Sequence, residues 1–540
     1  MKKICSVLLT LALMAVLTLP ATAYTDVPES SPLAGEVQKA TEYGLMNGYS
    51  SERFGYTDSM TRAQFVTVLD RMLFQTETDT STDYITPAME IPDTIAPAYR
   101  TAINHAARYD VVDRMIPFRP SEPITRGEMA EMLVRALGLK SAAQIAEKEN
   151  SLTFTDITER TGYISVAYDI GMTKGTSAAT FSPNATATRA QAAAMLVRIY
   201  EKLRQEGDFV HGFYAISSYS QLNLAKGMNA VSAGWSRMVW DGKSALLSTT
   251  GAGGNEYHIP TGYQEVTGAA NALHLSVFME GEGLKELLAS ESGRAQAVEQ
   301  IVNELTVSYN ALGKNPYSGV TIDFEGLRSP QKADFTAFLT DLRAALQPLQ
   351  KALYVCVSPV LSSGSYYDGY DYAAIGALAD RVILMAYDYG PADMSGYVGT
   401  TYYKTASTAP IAQVYWGLKK LCEQVAPDKI LLGFSCKNVA WQIDQDGKLL
   451  SDTPIYLSNE TVAKRLEQSG TAMGWSQEYR QSYAIYETED GSRYFLWYQD
   501  DRSTQSALNA AHLLGVHGVS LWRLGTIPTY DNWNWNSLLP

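Results

Sequence analysis

Gly319-Val320-Thr321-Ile322-Asp323-Phe324-Glu325 alternates small or acidic residues with large apolar ones. Side chains at i and i+2 of a strand share a face, so Thr321, Asp323 and Glu325 point one way and Ile322 and Phe324 the other. Such a strand suits a closed parallel barrel, with helices packed outside and reactive groups facing inward. Seven further short apolar segments accompany it: 209–217, 230–238, 272–279, 353–359, 381–388, 429–435 and 518–523. Helical periodicity separates many of them, most clearly over 294–312, 331–350, 411–425 and 504–514. Eight strands alternating with helices over more than 300 residues predict an α/β fold, a (β/α)8 TIM barrel over 208–540. An open doubly wound sheet is the rival, but no glycine-rich phosphate turn follows the first segment. The stretch 438–497 is too long for an ordinary loop and holds a hairpin pattern from Tyr483 to Tyr498 around Asp490-Gly491. It predicts a small α+β insertion before the last strand, forming one wall of a cleft.

The acids narrow the chemistry. Neighbouring buried carboxylates lose hydration and repel, so one takes up a proton and becomes an acid near neutral pH. On one strand Asp323 and Glu325 stand only about 6.5 to 7 Å apart and project the same way. Glycosidases that use two carboxylates place them on opposite sides of the scissile bond. If this pair cleaves a glycoside, the nucleophile must come from elsewhere. A 2-acetamido group on the substrate can supply it: its carbonyl oxygen attacks the anomeric carbon, Asp323 orients that group and Glu325 protonates the leaving oxygen.

These residues resemble glycoside hydrolase family 18, in the branch of spore-cortex and wall-acting glucosaminidases. The family's fourth-strand motif is Asp-Gly-x-Asp-x-Asp-x-Glu, and here it reads Ser318-Gly319-Val320-Thr321-Ile322-Asp323-Phe324-Glu325. Ser318 and Thr321 replace the two inner aspartates, which puts any relay of charge to Asp323 in doubt. Met385-Ala386-Tyr387-Asp388 looks like the sixth-strand motif. The resemblance implies that the Tyr387 hydroxyl bonds the oxazolinium intermediate, that Asp388 contacts the acetamido sugar and that Met385 lines the same pocket. Trp522 looks like the eighth-strand tryptophan that floors the cleavage point. Trp441 and Tyr389 follow predicted strand ends and are candidates either for stacking on sugars or for closing the barrel rim. No His/Cys/carboxylate cluster has metal-site spacing and no nucleotide-binding loop is present, so no cofactor is implied.

Upstream, Thr61-Arg62-Ala63-Gln64, Thr125-Arg126-Gly127-Glu128 and Thr188-Arg189-Ala190-Gln191 recur at offsets of 64 and 63 residues. Thr-x-x-Gln/Glu before an apolar helical pattern is a capping box. It does not explain an arginine at the positive end of the helix dipole. Arg62, Arg126 and Arg189 therefore read as anion sites shared with the helix N-termini, against the alternative that each pairs with a surface carboxylate. The segment resembles a mainly α-helical triplet of S-layer homology repeats over 24–76, 90–140 and 152–204. Tyr24-Thr25-Asp26-Val27 and Phe154-Thr155-Asp156-Ile157 open repeats, and Gly44-Leu45-Met46-Asn47-Gly48 and Gly171-Met172-Thr173-Lys174-Gly175 form central turns. The resemblance implies non-covalent attachment to a secondary polymer of the bacterial cell wall. Repeat two departs, since Tyr109-Asp110-Val111-Val112-Asp113 lacks the paired glycines. A threonine-rich acidic stretch over 77–84 reads as a linker.

Lys2 and Lys3, an apolar run from Ile4 to about Leu19 and Ala21-Thr22-Ala23 read as a signal peptide over 1–23. Export to the cell surface, free of the membrane after cleavage, is the expectation. A formal charge of −14 argues against nucleic acid or anionic lipid as partner and suits neutral polymer. Cys356, Cys422 and Cys436 are too few for a disulfide framework and read as buried thiols or one optional bridge. The leading function is a wall-attached hydrolase of N-acetylated polysaccharide, peptidoglycan or chitin-type. The alternatives are a carbohydrate-binding surface-layer protein whose barrel has lost catalysis, and repeats that mediate assembly without binding wall.

Overall fold

The structure is a computed structural model that describes residues 24–74, 83–149 and 152–530. The predicted leader and most of the predicted linker lie outside the described residues. Two compact units result, one from the repeats and one from 138–149 together with 202 onward.

In the first unit each repeat places a helix after its Thr-Arg motif: Arg62–Leu73, Arg126–Ala136 and Arg189–Leu203. Thr61 and Thr125 cap the first two, with Gln64 and Glu128 returning to the cap amide, and Thr188 and Gln191 make the same reciprocal bonds. The segments leading into these helices close on one another in a ring. Arg62 N donates to Glu122 O of repeat two, Arg126 N to Ala185 O of repeat three, and Arg189 N to Asp58 O of repeat one. Each acceptor lies four residues before the arginine of its own repeat, so the three repeats meet with near three-fold regularity. Short bridges Thr61–Pro123, Thr125–Thr186 and Ser59–Thr188 run alongside these bonds. Apolar residues of the three helices, among them Phe65, Met129 and Leu196, are buried around that centre.

The second unit is the predicted barrel. Its strands in chain order are β1 (Phe209–Tyr214), β2 (Ala230–Trp240), β3 (Ala245–Ser248), β4 (Leu273–Met279), β5 (Gly319–Phe324), β6 (Ala352–Val357), β7 (Arg381–Leu384), β8 (Ile430–Ser435), β9 (Asn438–Ile443), β10 (Ile455–Leu457), β11 (Ala472–Ser476), β12 (Gln481–Glu487), β13 (Arg493–Tyr498) and β14 (Gly518–Trp522). Parallel pairing runs β1-β2-β4-β5-β6-β7-β8-β14 and returns to β1, so eight strands close. β3 is an antiparallel appendage of β2. Residues facing away from the barrel axis bury against the helical ring; Phe324, for example, stacks on Phe338 of helix Lys332–Leu346 with ring centroids 5.2 Å apart.

The insertion is a five-stranded antiparallel sheet, β10-β9-β13-β12-β11, with helix Asn459–Glu467. Trp441 on β9 lies opposite Phe495 of β13 and is 1% exposed, packed with Met394, Tyr403, Val439 and Trp497. It therefore belongs to the core of the insertion and is not available to stack on a sugar. Between repeats two and three, helix Lys140–Glu149 joins the barrel unit, burying Ala142, Ala143 and Ala146 beside helix Ile411–Cys422, with Lys420 Nζ 2.5 Å from Glu149. No sequence pattern had assigned an element there, because an alanine-rich face carries little periodic signal. All three described cysteines are free.

Candidate active site

The C-terminal strand ends surround a cleft of about 1010 Å³. Asp323, near the end of β5, is 3% exposed, and Glu325 follows one residue past the strand, its amide donating to Met279 O at 2.9 Å. Burial pushes the Asp323 carboxyl up to about 6; the Cys356 thiol on neighbouring β6 opposes that and Glu280 adds to it. Burial also pushes Glu325 up to about 8, with Asp323, Glu280 and Asp388 adding negative charge and Lys437 opposing. Near neutral pH the proton of the pair therefore resides on Glu325. Asp323 Oδ1 has no hydrogen-bond partner among the described residues. A buried acceptor left open in a cleft is poised for a ligand donor.

Tyr387 and Asp388 follow β7. A Cβ on Gly433 would stand 2.9 Å from the Tyr387 ring and 2.5 Å from Leu384 O, so the absent side chain at 433 makes room for the tyrosine. Burial, reinforced by Asp323, holds the Tyr387 hydroxyl well above the usual phenol range, leaving it a donor at all ordinary pH. Asp388 adopts a left-handed backbone, φ 59°, and its carboxylate sits 2.5 Å from Lys437 Nζ. Strained non-glycine residues of this kind gather at functional sites. Trp522 ends β14, edge-on to Phe213 at 5.1 Å, and packs with Met385 against the apolar cluster of Phe213, Tyr354 and Cys356. Tyr389 also lines the cleft, its hydroxyl 3.4 Å from Gln413 O.

Thr321 shows what replaces the inner aspartates. Its hydroxyl bonds Ser232 Oγ at 2.6 Å; Ser232 bonds His211 Nε2 at 2.7 Å, and His211 Nδ1 bonds Ser520 Oγ at 2.7 Å. His274 Nδ1 approaches Thr321 at 3.5 Å. Burial presses His211 down to about 3 and His274 down to about 4, so both are neutral. An uncharged hydroxyl and imidazole chain thus fills the barrel centre, and no acid stands behind Asp323 on its strand.

Several cleft residues had no signature in the sequence. Glu280 is the first residue past β4, Lys437 lies just past β8, and Cys356 is brought beside Asp323 by the β5–β6 register. Tyr257 stacks on Phe278 at 5.5 Å and 8° at one end of the cleft, backed by the Arg237 guanidinium. An acid in the first position past a barrel strand is the one signal that could have found Glu280. The insertion contributes less than expected, since none of the lining residues comes from 438–497.

In the repeat unit the three arginines differ. Arg126 and Arg189 are buried, with Nε donating to Phe181 O and Phe54 O at 2.9 Å and the guanidinium over those phenylalanine rings at 5.0 and 4.9 Å. Arg62 instead pairs with Glu128 at 2.6 Å and Glu122 at 2.9 Å. The carboxylate-pairing alternative thus describes Arg62, while among the described residues Arg126 and Arg189 carry no such ion pair.

A (β/α)8 barrel with one acid near the end of a strand and a second just past it, in a cleft that Trp522 also lines, has the form of a glycosidase-type site. Residues 258–526 match the glycosyl hydrolases family 18, and 23–66, 93–130 and 153–193 match the S-layer homology domain. The chain carries a glycoside hydrolase family 18 domain and three S-layer homology repeats, which associate it with the cell surface. It is 26% identical over 246 residues to the putative sporulation-specific glycosylase YdhD of Bacillus subtilis (strain 168), covering 44% of this chain and 56% of the relative. It is 23% identical over 238 residues to the cortical fragment-lytic enzyme of the same organism, covering 43% and 52%. The chain thus spans about half the length of the curated relatives it matches. Among solved structures, the Bacillus cereus spore cortex-lytic enzyme SleL is similar at 18% identity with a TM-score of 0.49, over 62% of this chain and 74% of that one.

Proposed function

We propose that this protein is a retaining glycosidase of β-1,4-linked, N-acetylglucosamine-containing polymer, exported and held at the cell wall by its repeats. The observation that carries the reading is the placement of Asp323 near the end of β5 and Glu325 immediately past it, with Glu325 the more strongly raised. The acetamido carbonyl oxygen attacks the anomeric carbon while Glu325 passes its proton to the departing glycosidic oxygen. Asp323 accepts from the acetamido N–H, and its negative charge balances the oxazolinium that forms; the Tyr387 hydroxyl donates to the same group. Glu325, now ionised, takes a proton from water, whose oxygen opens the oxazolinium and restores the original anomeric configuration. Trp522 provides the apolar floor.

Peptidoglycan or its fragments is the favoured substrate over chitin, supported by the similarity to a sporulation-specific glycosylase and a cortical fragment-lytic enzyme and by the repeats. Arg126 and Arg189 supply the cationic contacts to an anionic wall polymer. Release of reducing ends from purified wall and from chitooligosaccharide tests the activity: Glu325→Gln abolishes it, and a variant with wild-type turnover refutes the assignment of the acid. A carbohydrate-binding protein without turnover is the second reading, motivated by Ser318 and Thr321; binding without product release by the wild type supports it.

A further inference from the structure

Three cations line the cleft beside one histidine: Arg328, Lys437 and Arg523. Lys437 is neutralised by Asp388. Arg328 lies beside Asp368, whose carboxyl it helps to hold low, bonds Ser365 Oγ at 2.9 Å and spans the Tyr367 ring at 4.7 Å. Arg523 is different. It follows the floor tryptophan, is partly buried, and its Nη1 reaches only Ser218 Oγ and Leu524 O, both at 3.4 Å. Among the described residues no carboxylate pairs with it, and burial alone depresses its affinity for the proton. A desolvated cation held by two long bonds to neutral oxygens is costly to keep. Ligand charge would offset that cost.

We infer that Arg523 forms a subsite for a carboxylate carried on the sugar at, or next to, the cleavage point. This rests on the glycosidase reading and narrows its substrate from N-acetylated glycans generally to those with an acidic substituent. A planar guanidinium takes a carboxylate through two parallel N–H bonds, which a neutral glycan cannot provide. The rest of the cleft sharpens the choice: Glu256, Glu280, Asp323 and Asp388 also line it, so an anion is disfavoured beside these carboxylates and favoured at Arg523. Two sources share this chemistry, the free lactyl carboxylate of a peptide-free muramyl sugar and a carboxylate of a stem peptide on an otherwise amidated lactyl group.

The test compares kcat/KM on chitooligosaccharide, on peptide-free peptidoglycan glycan and on peptide-bearing muropeptides, for the wild type, Arg523→Gln and Arg523→Lys, with thermal melting of each variant. The expected result is an acidic-to-neutral ratio that falls about tenfold or more in Arg523→Gln, with Arg523→Lys between the two; tenfold corresponds to about 1.4 kcal/mol. The acidic glycan whose ratio falls identifies the source of the carboxylate. A ratio unchanged in Arg523→Gln, or losses proportional on all substrates, overturns the subsite. Dissociation constants for the same glycans, measured by calorimetry, read the same ratio without turnover. Wild-type protein that cuts none of them refutes the glycosidase reading, while the binding ratio still decides the subsite.

Discussion

In the repeat unit, Arg126 and Arg189 are buried with their charge cradled by a carbonyl oxygen and an aromatic face from the neighbouring repeat. In the barrel, Asp323 is buried at 3% exposure with one oxygen unmatched, beside a Glu325 that must hold a proton to be there. The first arrangement occupies part of each guanidinium's hydrogen-bonding capacity, which contributes to holding three repeats in a ring, and leaves its positive charge without a carboxylate among the described residues. The second leaves polar capacity open and raises proton affinity, the mark of a site whose partner is a substrate. The barrel centre is a third case, where Thr321, Ser232, His211 and Ser520 form a hydrogen-bonded neutral chain. It holds the strands in register and brings no charge to Asp323.

Removing the acid tests the open side of this contrast most severely. Glu325→Gln keeps the shape of the cleft, and kcat is expected to fall by about 10² to 10⁴, the span typical of a general acid. A pH profile follows from the raised carboxyls. Asp323 must be ionised and Glu325 protonated, so kcat/KM rises through about 6 and falls through about 8. A flat profile between 5 and 9, on a scale where each limb changes rate about tenfold per unit, breaks the assignment.

On the satisfied side, Arg126→Ala and Arg189→Ala each leave a buried carbonyl without its charged donor. Each should cost about 1.5 to 3 kcal/mol in chemical denaturation of the repeat unit, and each should weaken binding to native wall. Arg62→Ala breaks only part-exposed ion pairs and should cost about 1 kcal/mol or less. Equal losses at all three positions would erase the distinction drawn between them. Thr321→Val removes one hydroxyl from the neutral chain at nearly constant volume. Its stability should drop by about 1 to 3 kcal/mol, with the pH limbs unmoved, because no charge is altered.

Much of the barrel was legible because each strand is an apolar run bounded by turns, and helices between them repeat with their own period. Each of the eight predicted segments contains or overlaps a barrel strand, and the boundaries differ by a few residues at the ends, where strands pass into cleft loops. The acids of β5, Tyr387 and Trp522 were legible as motifs on strand ends, and the cleft gathers them. Trp441 misled because β9 was not recognised as a strand; its alternation with Val439 and Ile443 marks a buried face of the insertion. Cys356 and Arg523 were missed for another reason, and Glu280 had only its place just past a strand to mark it. Glu280 and Cys356 become neighbours of the acids through the registers of β4 and β6 on β5, which no pattern within one strand reveals, and Arg523 has no motif of its own beside Trp522.

The central claim is that two acids two residues apart at one strand end require the nucleophile to come from the substrate. Its most direct measurement is the anomeric form of the first product, followed by proton NMR before mutarotation, with the N-acetylated glycan and its de-N-acetylated counterpart as substrates. The account predicts the β-anomer from the N-acetylated glycan and no turnover of the other. An α-anomer, or equal turnover of both substrates, would contradict it.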